Sequence, residues 1–185
     1  QITVLERQLP FEQRGIGRMA DGDEQAVHRE VACAAILLAD AHAGNARGVA
    51  QHLVVEGTAG HEFDADAYPA FGGKDEAPSP LFYALGSLTS CNQVTAALVA
   101  KDLGITLGKF SFRVQGDLDT TVLVKGAEGN SNFDTVTVEA TVETDATGDA
   151  FDHFVSEVER RCPVTQLFVR SGVGFVNTWT RADLA

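Results

Sequence analysis

From Ser79 to Gly104 the chain reads S-P-L-F-Y-A-L-G-S-L-T-S-C-N-Q-V-T-A-A-L-V-A-K-D-L-G, and no other stretch restricts the fold as strongly. Ser79 is a good N-cap, and Pro80 loses nothing at the first helical position because that N–H has no partner there. Gly104 suits the left-handed position just past a helix end. No charged residue lies between Leu81 and Ala100. Leu81, Leu85, Leu88, Cys91, Val94 or Thr95, and Leu98 recur at three- and four-residue steps. The spacing predicts a buried helix with a cysteine at its middle, apolar enough to need cover on every side. Its length approaches that of a membrane span, but Ser87, Thr89, Ser90, Asn92, Gln93 and Thr95 form a polar cluster that lipid penalises, so no membrane partner is expected.

A second stretch answers the first. In D-A-F-D-H-F-V-S-E-V-E-R-R-C-P-V, from Asp149 to Val164, the residues Phe151, Phe154, Val155, Val158 and Cys162 fall along one helical face. Pro163 stops that helix, with a short helical or irregular piece after it, and the release of the backbone there predicts a mobile Cys162. Two helices packed stripe to stripe bring facing Cα atoms into the disulfide range of about 4.4–6.8 Å. Cys91 and Cys162 are therefore within reach of one another.

The remaining pattern is mainly that of strands. Val49 to Glu56 and His61 to Ala67 read as two strands about Gly57-T-A-G, with a turn before them at His42-A-G-N-A-R-G. The segment from Tyr68 to Pro78 reads as a loop, and Phe110 to Val114 as a strand. Thr121 to Val124 reads as another, followed by a clean alternation of Val136, Val138, Ala140 and Val142 with polar residues. A last strand is expected around Gly174-F-V-N-T-W. Cys33-A-A-I-L-L-A-D reads as a buried strand in which Cys33 is a small core hydrophobe. The order is α+β, with helices gathered on one side of antiparallel sheet.

Length and charge exclude several functions. A chain of 185 residues suits one compact domain. With 14 basic against 26 acidic residues and a net charge of −12, it lacks the cations that hold a phosphate backbone, so no nucleic acid partner is expected. Three widely spaced cysteines do not make a secreted disulfide framework, and the scattered histidines do not make a zinc site. The first residues, Q-I-T-V-L-E-R-Q-L-P, lack the pattern of a signal peptide, so a cytoplasmic, thiol-reducing location is expected.

Three runs carry a resemblance to a known family: G-G-K-D-E-A-P-S-P-L-F-Y-A-L-G-S-L-T-S-C (Gly72 to Cys91), V-Q-G-D-L-D (Val114 to Asp119) and E-V-E-R-R-C-P-V (Glu157 to Val164). In them the chain resembles the OsmC/Ohr family of organic hydroperoxide resistance proteins. The likeness extends from about Ala46 to the C-terminus, which divides the chain into an arm with the first strand or strands (1–45) and an OsmC-like domain (46–185). The resemblance implies an intertwined homodimer in which antiparallel sheets wrap two central cysteine-bearing helices.

It also implies a cysteine-based thiol peroxidase acting in oxidative-stress defence on alkyl or lipid hydroperoxides, with no cofactor and no metal. Cys91 is then the peroxidatic thiol, which becomes a sulfenic acid, and Cys162 the resolving thiol, which closes a disulfide that an external dithiol reduces. A free thiol is only slightly ionised at neutral pH, and the family supplies an arginine to stabilise the thiolate and a glutamate to hold that arginine. Arg47 is the candidate arginine, with Arg29 and Arg18 as alternatives. Where the family has its glutamate after the proline, this chain has Leu81 and Phe82, so Glu76, with Asp75 beside it, is the candidate partner. Phe82, Phe71, Phe154 and Phe168 are candidates for an apolar substrate pocket. The alternative is a non-enzymatic OsmC-like protein, redox-sensing or binding an apolar ligand, that lacks the activating Arg–Glu pair. A cysteine hydrolase ranks below both, since no histidine stands in a dyad motif.

Overall fold

The computed structural model describes residues 40–56 and 60–185, apart from the side chains of residues 40–47 and 56. It divides at Asp66/Ala67 into two compact units. Cys33, Arg18 and Arg29 lie outside the described residues.

The first unit carries an antiparallel three-stranded meander, β1 (Asp40–Arg47), β2 (Ala50–Glu56) and β3 (His61–Ala65), with β2 in the middle. The turn expected at His42 to Gly48 is mostly strand. Gly44 is absorbed as an irregularity in the β1–β2 register between Ala43 and Asn45, and the chain reverses at Gly48, whose φ of +64° suits glycine. Across β2 and β3, His52 Nδ1 lies 2.8 Å from Asp64 Oδ1, which raises the imidazole's affinity for a proton.

The second unit is built on α1 (Pro80–Leu103). Ser79 caps it, accepting from the Phe82 N–H, and Gly104 ends it at φ +68°. The sheet that covers it has the order β4 (Leu107–Asp117), β5 (Thr135–Thr144), β6 (Gly174–Ala182). β4 pairs with β5 antiparallel as expected, whereas β6 runs parallel to β5. The crossover through two helices, α3 (Asp149–Arg161) and α4 (Pro163–Arg170), allows that direction, which a hairpin would not. The run Thr121 to Val124 is the start of a short helix, α2 (Thr121–Lys125), and not a strand. Asp119 explains this: its carboxylate accepts from the Thr121 N–H and hydroxyl at 2.8 and 2.9 Å, satisfying donors at a helix start.

Inward residues of β5 bear out the alternation. Val136, Val138 and Val142 are fully buried and Ala140 nearly so. They serve two apolar clusters arranged along α1. Leu85 and Leu88 meet Val136, Val138, Phe168 and Val173, and further along Ala96, Val99 and Ala100 meet Val142, Phe154 and Val158. Between these clusters α1 presents Cys91, Asn92 and Thr95.

The buried face of α1 keeps the expected stripe at Leu85, Leu88 and Thr95, the alternative to Val94, and departs from it at Leu98. Leu85 and Leu88 are inside, but Val94 and Leu98 are 62% and 55% exposed, because burial follows Asn92, Thr95, Ala96 and Val99 instead. The polar residues were thus the better guide to the inner face over that half of the helix. Two of the four phenylalanines expected to line a pocket, Phe154 and Phe168, fill these cores. Among the described residues no helix is long and apolar enough to cross a membrane.

Leu88, wholly enclosed, is the sharpest test of this packing. Leu88→Ala is expected to lower the unfolding free energy by about 2–5 kcal/mol, through lost transfer energy and the cavity left behind. The measurement is the urea midpoint at unchanged slope. A loss below about 1 kcal/mol would mean that the α1–β5 contact is not the core.

Candidate functional site

Both cysteine-bearing segments begin a helix or cross the middle of one for reasons visible in single residues. α3 buries Phe154 and Val158 and ends in Arg160 and Arg161. Arg161 Nη1 reaches Asp102 Oδ2 on α1 at 2.7 Å, which fixes the last turn of α3 against α1 just before Cys162. Pro163 cannot continue the α3 ladder, yet it sits well at the first position of a new helix. Cys162 is therefore both the C-cap of α3 and the N-cap of α4.

Both caps hold it. The Cys162 N–H donates to the Val158 carbonyl at 2.9 Å, and its sulfur accepts from the Thr165 N–H at 3.4 Å. That is the bond Ser79 Oγ makes with the Phe82 N–H, also at 3.4 Å, so sulfur here does what the serine hydroxyl does at the start of α1. Cys162 is 0% exposed. The mobility expected at this helix end is thus replaced by a double cap.

Across from it, Cys91 is half-buried on α1; both cysteines are free thiols, and each acts on the other's affinity for its proton. Burial pushes the Cys91 thiol up. The Val164 N–H and the Thr95 hydroxyl act against this, but the neighbouring Cys162 adds to it, and the net shift is upward. Burial pushes Cys162 up as well. There the Thr165 hydroxyl and N–H, with smaller contributions from Cys91 and the Thr95 hydroxyl, outweigh it, so Cys162 ionises more readily than an ordinary thiol. The physical source of the asymmetry is the start of α4, whose unpaired N–H groups and positive dipole end face the sulfur that caps it. Within the pair, the surroundings favour the thiolate at Cys162 over the thiolate at Cys91.

Asn92 and Thr165 complete the layer, both fully buried. Thr165 Oγ1 donates to Asn92 Oδ1 at 3.1 Å, and Asn92 Nδ2 donates to the Leu88 carbonyl at 3.0 Å. Sequence reasoning placed Asn92 only in a general polar cluster, offered Thr95 as an alternative to Val94 on the stripe, and missed Thr165. The signal was the repeated X-Pro start: Cys162-P-V-T matches Ser79-P-L-F, which puts the backbone N–H of the third helical residue on the capping side chain.

The other candidates stand apart from this pair in the chain. Arg47 is the last residue of β1, and its side chain is outside those described. Glu76 is exposed in the loop before α1. In that loop a single 3₁₀ turn spans Pro69–Phe71, and Asp75 has φ +61° while its N–H bonds the Ala67 carbonyl at 3.0 Å. Phe82 meets Tyr68 edge-on at 6.1 Å between centroids, and Phe71 lies 6.4 Å from the same ring. These aromatics gather near the start of α1, nine residues and so about 13 Å along the helix from Cys91.

The family model described as "OsmC-like protein" matches residues 73–175, which include both cysteines, Asn92, Thr165 and Glu76. Solved structures agree on the fold. An OsmC-like protein from Mycoplasma pneumoniae aligns with a TM-score of 0.64 at 19% identity, covering 79% of this chain and 98% of its own. An organic hydroperoxide resistance protein OsmC from Legionella pneumophila gives 0.58 at 18% identity, over 79% of this chain and 98% of its own. The organic hydroperoxide resistance protein OhrB of Bacillus subtilis gives 0.53 at 18%, over 79% and 100%. No curated protein matches the chain. The motifs, the fold and the family match agree, and this chain belongs to the OsmC-like family.

Proposed function

We propose that this protein is a thiol peroxidase that reduces alkyl or lipid hydroperoxides. The observation that carries the reading is the half-buried Cys91 thiol facing the fully buried Cys162 thiol, each acting on the other's proton. Access favours Cys91 as the group that meets substrate, and that coupling makes Cys162 its resolving partner. Relatives of similar fold named for organic hydroperoxide resistance support the substrate class.

The chemistry balances as two successive two-electron steps. Cys91 passes its proton toward Cys162, and the Cys91 thiolate attacks the terminal peroxide oxygen. The O–O bond breaks and the alkoxide leaves, taking a proton from solvent, so that Cys91 is oxidised to the sulfenic acid and the hydroperoxide is reduced to the alcohol. Cys162 sulfur then attacks the Cys91 sulfur, the S–O bond breaks, and water leaves as the disulfide closes. An external dithiol returns both thiols and is itself oxidised to a disulfide.

The cation that such a thiolate needs is assigned to Arg47, with Glu76 as its anchor. The exposed Phe82 and the neighbouring Phe71 are assigned to the alkyl tail, since Phe82, about 13 Å along α1 from Cys91, is too far to touch the peroxide there within one subunit. The outer face of α1, with Phe82, Val94 and Leu98 each more than half exposed, supports a homodimer built on a second copy of this helix.

One observation favours a second reading. The described groups ease ionisation of Cys162 and oppose that of Cys91, and Leu81 and Phe82 stand at the two positions after Pro80. Without a cation the pair would act as a dithiol sensor, or the protein as a carrier of an apolar ligand.

Single-turnover consumption of an alkyl hydroperoxide by the reduced cysteine variants tests the assignment of roles. Cys91→Ser is expected to consume none, while Cys162→Ser consumes about one equivalent and accumulates Cys91 sulfenic or sulfinic acid. Equal bursts from both variants would contradict those roles. For the assembly, sedimentation equilibrium is expected to show a dimer at micromolar concentration, and a stable folded monomer there would refute it.

A further inference from the structure

The hydrogen bonds around Cys162 run in one direction. Asn92 Nδ2 donates to the Leu88 carbonyl, so flipping the amide would set two carbonyl oxygens against each other, and Asn92 Oδ1 must face Thr165. The single Thr165 hydroxyl proton is therefore spent on Asn92. While Cys162 is a thiol, the Thr165 N–H donates to its sulfur, the Thr165 O–H to Asn92 Oδ1, and the Asn92 N–H to the Leu88 carbonyl.

Loss of the thiol proton breaks that order. A Cys162 thiolate donates nothing and attracts the hydroxyl of Thr165, the residue whose N–H already lies 3.4 Å from the sulfur. Cys162, Thr165 and Asn92 are all 0% exposed, so water does not stand in for a missing donor. In this structure every buried side-chain nitrogen and oxygen among the described residues has a partner. One proton then serves two acceptors.

We propose that Thr165 is a positioning residue whose hydroxyl proton is contested between Cys162 Sγ and Asn92 Oδ1, so that ionisation of Cys162 and the tie between α1 and α4 oppose each other. The titratable group facing Cys162 from α1 is Cys91. The other groups acting on its sulfur are uncharged, Thr95 from α1 and Thr165 from α4. The adjoining charges on α3, Arg160 and Arg161, are engaged with Glu157 and Asp102.

A consequence for turnover rests on the peroxidase reading above. When the external thiolate attacks the disulfide, the half-buried Cys91 sulfur is the accessible one. The Cys91–Cys162 bond breaks, a mixed disulfide forms at Cys91, and the electron pair leaves on Cys162, where the Thr165 hydroxyl and N–H receive it. Formation of the disulfide removes the charge and returns the hydroxyl to Asn92.

The competition makes two neighbouring buried substitutions act with opposite sign, which loss of packing alone would not do. The experiment follows the Cβ chemical shift of each isotope-labelled cysteine against pH in the reduced full-length chain. Thr165→Val is expected to raise the Cys162 midpoint, weakening the acid about tenfold, in line with the loss of a hydrogen bond to a charged group. Asn92→Leu is expected to lower the midpoint, because it frees the hydroxyl for sulfur, and Thr165→Ser to leave it near that of the wild type. If Asn92→Leu does not fold, Asn92→Ala serves the same end. Should neither fold, the contrast between Thr165→Val and Thr165→Ser decides, and equal midpoints there overturn the proposal. Shifts of the same sign from the Thr165→Val and Asn92 variants, or no shift from either, also overturn it. No hydroperoxide enters the titration, so an inactive protein with opposite shifts would retire the peroxidase reading and leave the contested proton standing.

Discussion

The contact on which the site depends is the capping of α4 by the sulfur of Cys162. A proline at Pro163 ends one helix and starts the next, and the residue between them has to satisfy backbone groups of both. Cysteine does this with its N–H in one direction and its sulfur in the other. The side chain is thereby fixed, fully enclosed, and set against the start of a helix where negative charge is favoured. Had α3 run on unbroken, Cys162 would be one more apolar residue of its stripe.

The same break explains how polar groups survive inside the core. Cys91, Asn92 and Thr95 from α1 and Cys162 and Thr165 from the α3–α4 junction form a layer between two apolar clusters. Each unsatisfied polar group there would cost about 1–3 kcal/mol, and among the described residues no buried side-chain nitrogen or oxygen lacks a partner. That economy is also what couples the thiols to their surroundings. A change of charge on either sulfur leaves one of the hydroxyls with a choice of partners.

Much of this was legible in the sequence where a local rule sets the outcome. Ser79-Pro80 and Gly104 fixed the ends of α1 without tertiary information, and the alternation through Val136 to Val142 identified the central strand and its inner face. The failures were cases in which a neighbour overrode the local preference. Thr121 to Val124 has β-favouring side chains, but the Asp119 carboxylate bonds its first donors and turns it into a helix. Val94 and Leu98 match a helical stripe, yet the layer of Asn92 and Thr95 determines which way the helix faces. The parallel direction of β6 depends on the whole path through α3 and α4, which no window of sequence contains. For the site, the two cysteines were found through motifs, whereas the hydroxyl and N–H that favour the Cys162 thiolate belong to Thr165, whose importance appears only once Pro163 is seen as a beginning.

If the protein is a peroxidase, the pair must act as one unit, and stoichiometry tests this more directly than any rate. Fully reduced wild-type protein would be mixed with one equivalent of an alkyl hydroperoxide, and the remaining thiols counted and mapped by peptide analysis. The account expects one equivalent of alcohol, the loss of two thiols, a Cys91–Cys162 disulfide and Cys33 still reduced. Unconsumed hydroperoxide, or a bridge that includes Cys33, would contradict it.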